Sequence, residues 1–214
     1  MVVPFSAMVL SAIACSQQLT QQSIAGLRGA CSVVKLSDMV IRAVAFDFGH
    51  TLVDEQDDAL IPLESRPIHL MPEVAEVLPR IPTPLAVWAN TRTATGAELQ
   101  NFLDRGGIGR FFTWVITSVD AGFRKPAPEF FAFALSTCGL ARDEVLFVGN
   151  QLNTDIAGGQ GYGIRTIWLS GSAYRSADET LSPGEVRPTH TIPTLRHLPS
   201  LVESLRAGED YSLS

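Results

Sequence analysis

Nearly continuous apolar runs alternate with helical patterns along most of the chain, and this alternation constrains the fold most strongly. Apolar runs occur at 40–46, 84–89, 111–117, 144–149 and 165–170. Runs without regular polar positions are typical of strands that are buried on both faces of a parallel sheet. Helical patterns lie at 72–81, 95–107, 126–140, 153–160 and 192–208. The sequence therefore predicts an α/β fold with a Rossmann-like, doubly wound and mostly parallel sheet.

The glycine-rich segment GGQGYG, residues 158–163, raises the question of a dinucleotide site. Its glycines do not have the G-x-G-x-x-G spacing, and the segment follows a predicted helix rather than a strand. We interpret it as the turn between a helix and the next strand.

The overall composition indicates one ordinary domain that does not bind nucleic acid. The chain has 214 residues, a formal net charge of −6 and no run of Lys or Arg, which disfavours nucleic-acid and anionic membrane surfaces as partners. Its cysteines, Cys15, Cys31 and Cys138, form no C-x-x-C pair. We therefore expect neither a disulfide scaffold nor a zinc site, and we predict a reducing, cytoplasmic compartment.

The start of the chain differs in composition from the rest. Residues 1–26 carry no charged side chain, and the apolar stretch Val2–Cys15 is shorter than the ~20 residues of a membrane-spanning helix. A signal segment is one interpretation, but signal peptides need basic residues near their start, and the first here is Arg28. We predict a weakly ordered extension or a mis-assigned start at 1–38, one domain at 39–208 and a tail at 209–214.

Polar residues follow several of the predicted strands. Asp47, Asn90 and Asn150 come directly after apolar runs, and Lys125 lies in the loop after another. Ligands of open parallel sheets bind outside the carboxyl ends of the strands. We therefore expect these side chains to face one crevice.

Four motifs resemble, in order and spacing, those of the haloacid dehalogenase superfamily of hydrolases. They are FDFGHTL at 46–52, WANT at 88–91, RKPAPEFF at 124–131 and VGNQLNTD at 148–155. The third motif is the most specific, because Lys-Pro followed by Pro and Phe at this spacing is unusual. The resemblance extends from about Met39 through THTIPTLRHLPSLV at 189–202, which is similar to the closing strand and helix of that family.

The resemblance implies a Mg²⁺-dependent hydrolase in which Asp47 attacks phosphorus and also binds the metal. A carboxylate suits this role because it divides one difficult displacement into two easier ones. Lys125 would neutralise charge on Asp47 and on the transferred group, and Asp155 would complete the metal site. The expected substrate is a phosphorylated small molecule or macromolecule.

Three positions depart from the usual pattern of the family, and each loses a charge or a hydroxyl. Gly49 replaces a second aspartate, so the site lacks an acid–base group of a kind worth ~10²–10⁴ in rate, although its backbone carbonyl remains a candidate metal ligand. Ala89 replaces Ser or Thr, and we expect Asn90 and Thr91 to contact the substrate instead. Asn150 replaces an acid, which predicts a neutral ligand and weaker Mg²⁺ binding.

His50 occupies a position where the family usually has glycine. Histidine side chains exchange protons near neutral pH, so His50 is a candidate to supply the proton that Gly49 cannot. A solvated loop histidine is the alternative interpretation.

The intervals between the motifs are too short for a cap domain. From Asp47 to Ala89 is 42 residues, which include a predicted core helix, and 91–125 has room for one helix and one strand. We predict a capless site that is open to bulky substrates. Two alternatives stay open: a noncatalytic protein that binds phosphate or a partner, and a metal-independent dehalogenase that EDTA does not inhibit.

Overall fold

Six parallel strands form one sheet in a computed structural model of the chain. They are β1 (Ala43–Phe46), β2 (Leu85–Ala89), β3 (Phe112–Thr117), β4 (Val145–Gly149), β5 (Arg165–Leu169) and β6 (His190–Ile192). Their spatial order is β3-β2-β1-β4-β5-β6, and each neighbouring pair is parallel. The strand order reverses between β1 and β4, which is the switch point where doubly wound sheets bind ligands. The predicted fold class is confirmed.

The structure describes residues 40–55, 61–174, 185–209 and 211. The extension predicted at 1–38 lies outside these ranges, as does most of the predicted tail. Within the tail, the half-buried Tyr211 packs against the core, and its hydroxyl donates to the carbonyl of His197 at 3.5 Å. No helix in the described ranges is long and apolar enough to cross a membrane.

The described part of the chain has six α-helices between and after the strands. They are α1 (Val74–Val77), α2 (Gly96–Arg105), α3 (Ser118–Ala121), α4 (Pro128–Cys138), α5 (Ala157–Gly161) and α6 (Leu198–Ala207). A π-helical turn, Leu152–Ile156, leads into α5. Because α5 continues to Gly161, the first four residues of GGQGYG are helical and only its last two form the expected turn.

The two faces of the sheet are covered by different helices. In β1, Val44 and Phe46 pack into a cluster with residues of α1, α2 and α6, whereas Ala45 packs with Phe130 and Phe131 of α4 on the other face. Successive strand residues point to opposite faces, so a fully buried strand must be apolar at every position. This explains the continuous apolar runs, and the resulting rigid sheet holds the strand ends that carry the candidate site.

Candidate active site

The carboxyl ends of three adjacent strands bring the predicted site residues together. Asp47 follows β1, Asn90 follows β2 and Asn150 follows β4, and these strands are neighbours in the sheet. Lys125 approaches the same edge from the loop after α3. Asp47, Asn90 and Lys125 line one small cavity at this edge, whereas Asn150 is buried and does not line it.

Lys125 joins two carboxylates at the centre of this edge. Its Nζ lies 2.6 Å from Oδ1 of Asp47 and 2.8 Å from Oδ1 of Asp155. The side chains of Lys125 and Asp155 are each 1% exposed, and that of Asp47 is 12% exposed. The ammonium also lies 5.0 Å from the ring centroid of Phe147, a cation–π contact. One positive charge faces two negative ones, and Asp47 is the carboxylate that reaches the open side.

Burial and the neighbouring charges change the pKa values of this cluster. Burial alone lowers the pKa of Lys125, but the carboxylates of Asp155 and Asp47 outweigh burial, so the pKa lies above its usual value and the side chain is an ammonium. Burial, and then the negative charge of Asp47, raise the pKa of Asp155 to about 6. Lys125 opposes this increase without cancelling it. Asp155 therefore takes up a proton at a higher pH than an ordinary aspartate does.

The side-chain amide of Asn90 holds the backbone of Lys125 in place. Its amide nitrogen donates to the carbonyl of Lys125 at 2.9 Å, and its amide oxygen accepts from the N–H of Lys125 at 2.8 Å. The two bonds hold a loop residue to the end of β2 across 35 positions of sequence. Asn90 also lines the neighbouring cavity, so its predicted role in substrate binding stays a prediction beside this structural one.

Asp155 is held by its own π-helical turn. The N–H of Gln151 donates to Oδ2 of Asp155 at 3.1 Å, while Thr154 lies 3.4 Å from Oδ1. A Cβ at Gly149 would lie 2.5 Å from both Cβ and Oδ2 of Asp155, which is too close for any side chain. The last residue of β4 must therefore be glycine to let Asp155 approach the sheet.

Thr51 links Asp47 to Asn150 behind the site. Its hydroxyl lies 3.4 Å from Oδ2 of Asp47 and 3.2 Å from Oδ1 of Asn150, and the residue is fully buried. The amide of Asn150 donates to the carbonyl of Tyr174 at 2.7 Å. Asn150 thus has a structural function in addition to its predicted function as a metal ligand.

Two other predicted residues, Thr91 and His50, have side chains that contact groups other than Asp47. Thr91 donates its hydroxyl proton to the carbonyl of Ala94 at 2.6 Å. His50 has φ 53°, in the left-handed region, and its Nδ1 lies 3.6 Å from Oδ1 of Asp54. Both Thr91 and His50 line cavities at this edge, and their predicted substrate-binding and proton-donating roles stay predictions.

The donor chemistry of the cluster fits a hard cation. Oδ1 of Asp47 and Oδ1 of Asp155 both bond to the Lys125 ammonium, so a metal ion would use the remaining lone pairs of these carboxylates, and the Thr51-bonded oxygen of Asn150 retains a second lone pair. Mg²⁺ is commonly bound through one or two carboxylates and several waters. Among the described residues, no cluster of three or more His, Cys, Asp or Glu side chains surrounds a single metal position, so Asp47 and Asp155 would be the charged ligands.

Sequence reasoning missed several residues of the site. Three of them, Thr51, Gln151 and Thr154, lie inside the quoted motifs but had no predicted role. The available signal was spacing: Thr51 is four residues after Asp47, and Gln151 and Thr154 are four residues and one residue before Asp155. Glu55 had no predicted role. The structure places it against Gly49, and no local pattern predicts that contact.

Comparisons with known proteins agree with this geometry. A family model described as HAD-hydrolase-like matches residues 122–198. Pyrimidine 5'-nucleotidase YjjG of Escherichia coli (strain K12) is 33% identical over 101 residues, which are 47% of this chain and 42% of that protein. Glyceraldehyde 3-phosphate phosphatase of Methanocaldococcus jannaschii is 32% identical over 104 residues, or 49% of this chain and 43% of that protein. These matches support a similarity to the hydrolases of the haloacid dehalogenase superfamily.

The fold of the chain also matches solved structures. The HAD-hydrolase YfnB from Bacillus subtilis bound to magnesium aligns with a TM-score of 0.61 and 18% identity, over 76% of this chain and 99% of that chain. The chain spans about half the length of the curated relatives that it matches. The family model and the curated relatives bear out the resemblance that the four motifs indicated.

Proposed function

We propose that this protein is a phosphatase that acts through an aspartyl-phosphate at Asp47. The supporting observation is the contact of 2.6 Å between Nζ of Lys125 and Oδ1 of Asp47 at the switch point of the sheet. A carboxylate oxygen of Asp47 attacks phosphorus, and the ester oxygen leaves with the bonding electron pair. Lys125 offsets the negative charge of the carboxylate and of the incoming phosphoryl group. The names of the two relatives, a nucleotidase and a phosphatase, support phosphate chemistry.

Mg²⁺ is the proposed cofactor, held by Asp47 and Asp155, with the carbonyl of Gly49 and the side chain of Asn150 as neutral ligands. When bound, it neutralises charge on the phosphoryl oxygens. We expect its affinity to be lower than in a site with a third carboxylate.

The substrate is proposed to carry a second anionic group beside the phosphate that is removed. A cavity of about 440 Å³ adjoins the Asp47 site and shares Phe48, Glu55 and Asn90 with it. Three arginines line this cavity, namely Arg66, Arg92 and Arg124. Guanidinium groups bind phosphate and carboxylate through paired N–H donors, and the single lining carboxylate, Glu55, leaves the lining positive.

We also propose a capless site in a cytoplasmic protein. The described part of the interval between β1 and β2 carries the short α1 and one 3-10 turn, and the interval from 91 to 125 carries α2, a 3-10 turn, β3 and α3 of the core. Residues 56–60 are outside the described ranges. Cys138 is a buried free thiol, which agrees with a reducing compartment.

Acetyl phosphate provides the direct test. Intact-mass spectrometry after incubation with acetyl phosphate and MgCl₂ should detect one added phosphoryl group, which Asp47→Asn abolishes. Asp54→Asn is the matched control, because it removes a carboxylate of the same loop and should keep the adduct. A screen of phosphate esters with and without Mg²⁺ then identifies the substrate. Absence of the adduct from the unmodified protein contradicts the proposal.

A noncatalytic phosphate-binding protein is the second candidate. The observation that favours it is the commitment of Asn150, in which both ends of the side-chain amide bond to Thr51 and Tyr174. This candidate predicts that inorganic phosphate binds, and that Asp47→Asn does not abolish binding, while no phosphoryl group is transferred.

A further inference from the structure

The carboxylate of Glu55 occupies the space beside the Cα of Gly49. A Cβ at position 49 would lie 2.5 Å from Oε2 and 2.9 Å from Cδ of Glu55. The first of these separations is comparable to that between Cβ and a carboxylate oxygen within one aspartate. Glu55 therefore brings an acidic oxygen to the place that an acidic side chain at position 49 would reach.

The fold of the loop after β1 produces this contact. The N–H of His50 donates to the carbonyl of Val53 at 2.7 Å, and Val53 forms isolated bridges with Gly49 on one side and Leu70 on the other. The chain thus turns back on itself directly after β1. Residue 55 consequently lies next to residue 49, although six positions separate them.

Arg66 holds the other oxygen of Glu55. Its Nη1 donates to Oε1 of Glu55 at 3.2 Å, and its Nε and Nη2 donate to the carbonyl of Ile61 at 3.2 and 3.0 Å. Arg66 is itself only 8% exposed. The guanidinium is therefore anchored at two points, and it leaves Oε2 of Glu55 directed towards Gly49.

Glu55 and Asp47 face the same small cavity. Its volume is about 70 Å³, and its lining also includes Gly49, His50 and Lys125. A cavity of this size with polar groups on its walls can hold a water molecule. The hydrolysis of an acyl phosphate on Asp47 needs a water molecule beside the phosphorus atom and a group that accepts its proton.

We propose that Glu55 is the general base for the second half of the proposed phosphatase reaction, on which this inference rests. The water oxygen bonds to phosphorus, the bond between phosphorus and Asp47 breaks, and its electron pair returns to the Asp47 carboxylate. One proton of the water moves to Oε2 of Glu55, and inorganic phosphate leaves. Such a base typically contributes a factor of ~10²–10⁴ in rate. Glu55 would therefore supply the proton acceptor that Gly49 cannot provide.

The close contact also predicts how a side chain at position 49 would behave. Gly49 does not have a φ in the left-handed region, so the backbone accepts aspartate there. The new side chain would displace the Glu55 carboxylate, which is the mobile end of a flexible side chain. Gly49→Asp should consequently add little to the unmodified protein, but it should restore a base to a variant that lacks Glu55.

The decay of the phosphorylated protein tests this role. The full chain and Glu55→Gln are treated with acetyl phosphate and MgCl₂, the donor is removed, and the adduct is followed by intact mass. We expect both proteins to form the adduct, and the Glu55→Gln adduct to decay ~10²–10⁴-fold more slowly. Glu64→Gln, an exposed glutamate of the same interval, should decay like the unmodified protein. Gly49→Asp combined with Glu55→Gln should recover most of the rate.

Two results would overturn the role of Glu55. Decay of the Glu55→Gln adduct at the unmodified rate means that Glu55 only pairs with Arg66, even if the variant is less stable. If the Glu55→Gln adduct decays slowly and adding Gly49→Asp does not restore the rate, the effect comes from a rearranged loop and not from the loss of a base. An absence of adduct in every variant, by contrast, contradicts the proposed function itself, and the inference falls with it.

Discussion

The side chain of Asn90 bonds to both backbone polar groups of Lys125, at 2.9 Å to its carbonyl and 2.8 Å from its N–H. The bonds join the end of β2 to the loop that carries the ammonium of the site. The position of the Lys125 ammonium beside Asp47 therefore depends on an amide that touches neither atom of that ion pair.

Asn90→Ala should loosen this loop and lower stability. Each net hydrogen bond contributes about 0.5–1.5 kcal/mol, so we expect a loss of about 1–3 kcal/mol in the free energy of unfolding, measured with urea. Gln100→Ala removes an exposed side-chain bond to Asp104 at 2.9 Å and serves as the control, with a loss below about 0.5 kcal/mol. Equal losses in the two variants would contradict the bridging role of Asn90.

Lys125→Met should be strongly destabilising. The substitution leaves Asp47 and the buried Asp155 without their counter-charge, and breaking a buried pair in this way costs about 3–5 kcal/mol. Arg42→Met breaks an exposed pair with Glu144 at 3.3 Å, for which we expect a loss of about 1 kcal/mol or less. Urea unfolding of both variants measures the difference. If Asp155→Asn added to Lys125→Met recovers no stability, the loss does not come from unpaired charge.

The pH dependence of stability should contain a contribution from Asp155. Its pKa of about 6 in the folded protein exceeds the ordinary value of 3.8, so the folded protein holds this proton more tightly than the unfolded chain. The contribution is fully present below about pH 4 and is lost as pH rises through about pH 6. Its size is up to roughly 3 kcal/mol.

Urea unfolding in EDTA between about pH 4 and pH 7 measures this contribution as the difference between the unmodified protein and Asp155→Asn. That difference in the free energy of unfolding should increase as the pH falls from about 7 to about 4. Asp143→Asn, an exposed aspartate, is the control and should leave the profile unchanged. Parallel profiles for the unmodified protein and Asp155→Asn would contradict the raised pKa.

Mg²⁺ should stabilise the folded protein through Asp47 and Asp155. A ligand at 100 times its Kd adds about 2.7 kcal/mol to the free energy of unfolding, and a titration of Tm with MgCl₂ gives that Kd. We expect Asp47→Asn to abolish the increase in Tm and Asp54→Asn to retain it. An unchanged response in Asp47→Asn would exclude this carboxylate as a ligand.

His50→Gly should make the protein more stable. His50 has φ 53°, and a residue other than glycine in the left-handed region costs on the order of 1 kcal/mol or more, a cost that glycine avoids. We expect a gain of about 1 kcal/mol in urea unfolding. The decay of the phosphorylated protein should keep its rate, because Glu55 supplies the base. A large loss of rate would instead return the proton-transfer role to His50.

Much of the fold could be predicted because it follows from local patterns. Each of the five predicted strands is present, since a strand buried on both faces must be apolar throughout, and this leaves a visible run in the sequence. The ends of α5 were harder to predict, because glycines that usually end a helix lie inside it at Gly158 and Gly159, where they pack against Pro126 and Thr166. Tertiary contact there overrides local preference.

The sequence by itself determined most of the scaffold and the charged residues of the site. It predicted five of the six parallel strands, and it placed Asp47, Lys125 and Asp155 after strands whose ends a doubly wound topology brings to one edge. Only the tertiary structure decided which groups touch. It turned Asn90 towards the backbone of Lys125, bonded Asn150 to Thr51 and Tyr174, and set Glu55 against Gly49. Those contacts depend on side-chain direction and on how one loop closes, and neither is encoded in residue spacing.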